Sequence, residues 1–221
     1  MLDEQATRLY PTPSATTGSS LWRLPEIFFQ PTAAFRSIDR NPAWLAPVMA
    51  ATVFRMVRMF AFFQPSREPL KLLVTAAIEA ITFVVPIILC SALFIVVLYL
   101  AGGETTFRKI FSVLAHTFFL YTVVNVVLAV TIRALSADPA SVDFQNPALT
   151  NLSFLVGAKQ HLSLNYLLSA LDLVVFYHLY LIGLGLSIVT RKCSLGKAIA
   201  VTLALWSAYV AAGMSIKSIV G

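Results

Sequence analysis

Arg55 and Arg58 stand three residues apart inside an otherwise apolar stretch, so on a helix they share one face. Glu79 and Asp172 interrupt two other apolar stretches, and Asn125 lies within a third. An arginine at bilayer centre costs at least ~2.5–3.5 kcal/mol on insertion scales, so an isolated pair facing lipid is disfavoured. Two cations and two anions in such surroundings have three uses. They can pair to fix helix packing, Arg58 can snorkel to the outer headgroups, or the set can serve a substrate or ion path. The expectation is a compensated cluster in the outer half of a bundle, Arg55 and Arg58 with Glu79 and Asp172, to which Asn125 adds hydrogen bonds.

The remaining reactive side chains give less. His116 and His178 are embedded in apolar stretches, and His161 lies in a loop. No two histidines have the i, i+4 spacing of metal ligands, so hydrogen bonds between helices are the expected use. Cys90 and Cys193 are too few for a disulfide framework and read as a core thiol and a reduced loop thiol. There is no His-Glu-x-x-His helix. Gly183-Leu184-Gly185-Leu186-Ser187 lacks the spacing of a Gly-x-Ser-x-Gly elbow and follows no strand. The expectation is a protein that is not an enzyme and carries no cofactor or metal.

These residues sit on long apolar segments: roughly 44–63, 77–100, 110–132, 167–189 and 197–216. Each approaches the ~20 residues that a helix needs to cross ~30 Å of hydrocarbon. Only 12% of the chain is charged, against roughly 25% in soluble domains. The predicted fold is all-α: an integral membrane bundle of five transmembrane helices with an N-terminal amphipathic interfacial helix. Leu70–Leu100 is overlong for one crossing at ~45 Å, so a lead-in near 71–80 is expected, with a kink at Pro86. Ala200, Ala204, Ala208 and Ala212 form a row of small residues for close helix packing, with Gly183 and Ser187 as the facing groove.

Ahead of the bundle, residues 1–20 are polar, lack the apolar core of a signal peptide and read as a disordered cytoplasmic tail. Residues 21–42 read as an interfacial amphipathic segment. Pro31 opens a helix, with Ala34, Phe35 and Ile38 on one face and Arg36, Asp39 and Arg40 on the other. Its apolar face suits lipid, or otherwise a protein partner. Residues 43–221 form the five-span domain. The longest connection, 136–165, has an apolar part near 149–156 that can dip toward the membrane, and its length points to a use without naming one.

The formal charge of +6 is unevenly placed. With five spans, one side collects Arg8, Arg23, Arg36, Arg40, Arg108, Lys109, Arg191, Lys192 and Lys197. The other has Arg67, Lys71, Arg133, Lys159 and Lys217. That bias puts the N-terminus in the cytoplasm and the C-terminus outside. It implies attraction to anionic lipid rather than to nucleic acid.

Ile27-Phe28-Phe29-Gln30-Pro31 through Phe35-Arg36, then Asn41-Pro42-Ala43-Trp44, resembles the opening of bacterial Yip-domain proteins. Gly102-Gly103-Glu104-Thr105-Thr106-Phe107-Arg108-Lys109 is similar to their turn between the second and third spans. Asn146-Pro147-Ala148, Leu171-Asp172-Leu173 and the Gly183–Ser187 run extend the likeness from about Leu24 to the C-terminus. The resemblance implies a polytopic helical protein, usually of five spans with a cytoplasmic N-terminus. Eukaryotic members bind Rab-type GTPases in vesicle trafficking. The Asp-Leu-Tyr-Gly-Pro motif of that branch is missing here, so GTPase binding does not carry over. Some bacterial members look like accessory components of export machinery, and no catalytic residue comes with the resemblance.

The functional expectation is therefore a non-enzymatic scaffold or accessory subunit in a bacterial inner membrane. Its partners would be the lipid bilayer and either another membrane protein or a second copy. A small transporter or channel using the buried charges is the alternative.

Overall fold

The computed structural model describes residues 23–62, 68–137, 150–155 and 162–220. The tail 1–20, His161 and most of the loop 136–165 lie outside the described residues. The helices are α1 (Arg23–Phe29), α2 (Pro31–Arg40), α3 (Leu45–Phe62), α4 (Pro69–Leu100), α5 (Phe107–Leu135), α6 (Leu162–Ala170), α7 (Leu173–Val189) and α8 (Leu195–Val220). A single 3-10 turn, Ser153–Leu155, precedes α6. Among the described residues there is no strand, only isolated bridges from Glu104 to Arg191 and from Asn151 to Asp172.

Among the described residues, three helices are long and apolar enough to cross a membrane: Pro69–Leu100, Phe107–Leu135 and Leu195–Ser218. α7 is apolar but has 17 residues, and the 18 residues of α3 include both arginines. α4 is continuous from Pro69, which opens it at a position where a missing N–H costs nothing, and it runs helically through Pro86. The segment expected as one span at 167–189 is instead divided, with α6 ending at Ala170 and α7 starting at Leu173. The cause is Asp172. Its extended backbone and its carboxylate, which accepts from the amides of Val174 and Val175, make it the N-cap of α7.

α5 is the central pole. Half of its most apolar window is buried inside the fold, against 28% for α4 and 11% for α8. On one side Leu114 and Phe119 meet Phe83, Ile87 and Phe94 of α4. On the other, Val113 and Leu120 meet Leu181 and Val189 of α7 together with Ile27, Phe35 and Ile38 from the N-terminal helices.

Those N-terminal helices correct a second expectation. The apolar face of α1 and α2 does not lie on lipid, because Ile27, Ala34, Phe35 and Ile38 are completely covered by the bundle. α1 and α2 form a hairpin, closed at its base where Arg23 donates to the Asn41 carbonyl at 2.7 Å. It stands along α5 in register. Asp39 faces Lys109, Phe35 packs near Val113, and the Phe28 ring lies 6.3 Å from that of Phe119. Lys109 to Phe119 spans about 15 Å of helix. Gly185 makes this fit possible, since a Cβ there would come within 2.5 Å of Val113 Cγ1 and 2.9 Å of Phe35 Cε1.

At the end of the bundle near the hairpin base, α4 turns into α5 and α7 turns into α8. Gly102 takes φ +78° and a Cβ on Gly103 would meet Thr190 Cγ2 at 2.8 Å, so both glycines are needed by the first turn. Thr105 donates to the Val189 carbonyl at 2.9 Å, and the Glu104–Arg191 bridge links the two turns.

Candidate functional site

The intramembrane charges separate into two neighbourhoods. Arg55, on α3, is directed onto α4. Its Nε donates to Glu79 Oε2 at 2.7 Å, and a terminal guanidinium nitrogen donates to Thr82 Oγ1 at 3.0 Å. The guanidinium also lies 6.0 Å from the Phe83 ring centroid, where a cation is attracted by the ring face. Arg58, nearly one turn on, is within electrostatic range of Arg55, Glu79 and Tyr121.

Asp172 is engaged elsewhere. Besides capping α7, it accepts from the Thr150 hydroxyl at 2.5 Å. Among the described residues, no ion pair joins it to either arginine. Asn125 donates to the Tyr121 carbonyl within α5 at 2.9 Å. Tyr121 feels both Arg58 and Asp172, and so lies between the two neighbourhoods. The arrangement can fix the register of α3 against α4 and anchor the start of α7. A layer of ion pair, phenol and amide is also chemically able to carry a polar path.

The small-residue expectation also divides. Gly183 does meet α8, since a Cβ there would fall 2.7 Å from Ile199 Cγ1 and 3.1 Å from its Cα. Ser187 donates back to the Leu184 carbonyl in its own helix. Ala200, Ala204, Ala208 and Ala212 are all exposed, so their row faces away from the fold. The inward face of α8 carries Ala198, Thr202 and Val210 instead.

Among the described residues, His116 and His178 do not link helices by hydrogen bonds. His116 Nδ1 is 2.7 Å from the Ser112 carbonyl of its own helix, and its Nε2 has no partner. His178 sits between aromatic rings, 4.8 Å from Phe118 and 5.0 Å from Tyr121. The backbone of Thr117 is near it but makes no hydrogen bond of normal geometry. Among the described residues, no three of His, Cys, Asp and Glu gather in a way that could hold a metal.

A second polar group was not foreseen from sequence. At the hairpin base, Lys109 Nζ pairs with Asp39 Oδ1 at 2.5 Å. Glu104 and Lys192 are joined, as are Lys197 and the Ala101 carbonyl. The hydrogen bond and charge of Lys192 hold the Glu104 carboxyl below its ordinary range. Burial pushes the neighbouring Cys193 thiol up. The usable sequence signal was the short spacing of two polar breaks, 101–106 and 190–194, each rich in charge or glycine and each closing a helical pair.

Compared with known families, the chain matches the Yip1 domain over residues 26–216. It belongs to the Yip1 domain family. No curated protein and no solved structure matches the chain. The matched range begins inside α1, so the Yip1 domain takes in most of the α1–α2 hairpin as well as the helices behind it. With several apolar helices, this Yip1-domain protein is a multi-pass integral membrane protein.

Proposed function

We propose that this Yip1-domain protein is a non-enzymatic scaffold or accessory subunit that binds another membrane protein in a bacterial inner membrane. In this reading α3, α4, α5, α7 and α8 are its five spans, with the N-terminus in the cytoplasm. The observation that carries the proposal is α8. It is the least covered of the long apolar helices, and its row of Ala200, Ala204, Ala208 and Ala212 faces outward. Lipid gains little from a smooth small-residue face, whereas a second helix can approach it closely enough for dispersion contacts. An export or trafficking complex is the kind of assembly that employs such a subunit.

Cross-linking in native membranes from cysteines placed at Ala204 and Ala208, read by mass spectrometry, tests this. A defined membrane protein captured from a cysteine at Ala208, and lost when Ala204→Phe is added to it, supports the reading. Recovery of the chain alone, with no cross-linked copy or partner, counts against it.

The transporter alternative draws on the Arg55–Glu79 pair, which is an expensive arrangement to keep inside hydrocarbon. Flux into vesicles containing the purified chain, abolished in Glu79→Gln, would favour it.

A further inference from the structure

An open cleft of ≈ 410 Å³ lies at the end of the bundle where the two turns meet the hairpin base. Asp39, Glu104, Thr106, Lys109, Thr190 and Arg191 are among its walls. Both carboxylates are already engaged, Asp39 by Lys109 and Glu104 by Lys192. The cation left over in the walls is Arg191. Among the described residues, its side chain makes no hydrogen bond or ion pair.

Three further observations point to an anion. The cleft holds the N-terminus of α5, where the Thr106 side chain makes no capping bond and leaves first-turn amides as donors. Aligned peptide dipoles add partial positive charge there. Thr190, a wall residue only 3% exposed, has a hydroxyl without any hydrogen-bond partner. A buried hydroxyl in that condition costs free energy unless something fills its valence. The position of Arg191 is also fixed on both sides. Its backbone is bridged to Glu104, and Lys192 after it takes the left-handed φ of 59°.

We propose that this cleft binds a phosphate group, presented either by an anionic phospholipid headgroup or by a free phosphate. A guanidinium fork, a hydroxyl and helix-terminal amides suit the several oxygens of a phosphate better than the two of a carboxylate. The ends of α4, α5, α7 and α8 set the cleft at headgroup depth. The proposal does not depend on any protein partner.

The test uses the full chain in nanodiscs of phosphatidylcholine with a minor fraction of phosphatidylglycerol, released and weighed by native mass spectrometry. Phosphatidylglycerol is expected to be retained over phosphatidylcholine. Arg191→Gln and Thr190→Val should each weaken retention about tenfold, the loss of one charge-assisted hydrogen bond. Lys217→Gln, at the far end of α8, should change nothing. Displacement by inorganic phosphate would assign the site to free phosphate, and retention against it would assign the lipid.

Equal retention of both lipids, with no binding of inorganic phosphate by phosphorus NMR, overturns the proposal. So does an equal effect of Lys217→Gln and Arg191→Gln, or no effect of Thr190→Val. If Arg191→Gln melts below the wild type, Arg191→Lys replaces it, which keeps the charge and removes the fork, and weaker retention is still required.

Discussion

The strength of the Arg55–Glu79 pair is set by its surroundings more than by its 2.7 Å separation. Its side chains are 21% and 20% exposed, so each charge keeps an open side. Losing one partner of a fully buried pair costs about 3–5 kcal/mol. Glu79→Gln should cost less, roughly 1–3 kcal/mol, because Thr82 still accepts from Arg55 and the neutral amide can still accept from it. Thermal unfolding in mild detergent measures it. The double exchange Arg55→Glu with Glu79→Arg should recover most of the loss, and a swap no better than the single variant sinks the pairing. Glu104 behaves differently because it is exposed. Its carboxyl is held below the ordinary 4.5 by Lys192, so the contact contributes fully above that value. It is lost as pH falls through the lowered value. Protection from hydrogen exchange in 101–106, taken relative to the intrinsic rate at each pH, should therefore fall on acidification below 4.5, and Glu104→Gln should remove that dependence. Sequence picked out the charges within apolar stretches but could not assign Asp172, because a helix-capping acid and a mid-helix acid look alike when apolar residues flank both. The capping geometry depends on Thr150 and Asn151, far away in the chain.

Among the helices, small residues separate by what lies opposite them. Gly183→Ala pushes a methyl against Ile199, including its backbone, and should destabilise the chain by roughly 1–3 kcal/mol. Ala204→Leu, on the open face of α8, should stay within about 0.5 kcal/mol in the isolated chain. Chemical denaturation of both variants in the same micelle checks the contrast, and a larger loss in Ala204→Leu would contradict the packing described. The spacing of the alanines was readable, but their direction was not. A helix apolar all round gives no signal for which side is lipid and which is protein. The α1–α2 segment misled for a related reason. Its amphipathic pattern correctly marked Ala34, Phe35 and Ile38 as one face, yet the same pattern serves a lipid surface or a bundle. What decided it was Gly185, the space that lets Phe35 close on α7.

At the scale of the molecule, the proposed five-span orientation puts Lys192 and Lys217 on opposite sides of the membrane. Single cysteines at these positions, in a chain lacking Cys90 and Cys193, should react with an impermeant maleimide from opposite faces of sealed vesicles. Labelling from one face would refute the topology. The all-α membrane class was legible from hydropathy alone, whereas the division into α6 and α7 depended on long-range contacts. α4 has a consequence for the whole protein. Its large apolar residues are exposed at intervals from Leu73 to Leu100, and its 32 residues amount to about 48 Å of helix. A bilayer core is ~30 Å, so this helix must tilt, project beyond the hydrocarbon or thicken the lipid around it. Each response changes with the membrane. Between bilayers of different thickness, α4 is therefore the helix whose tilt or projection has the most room to change.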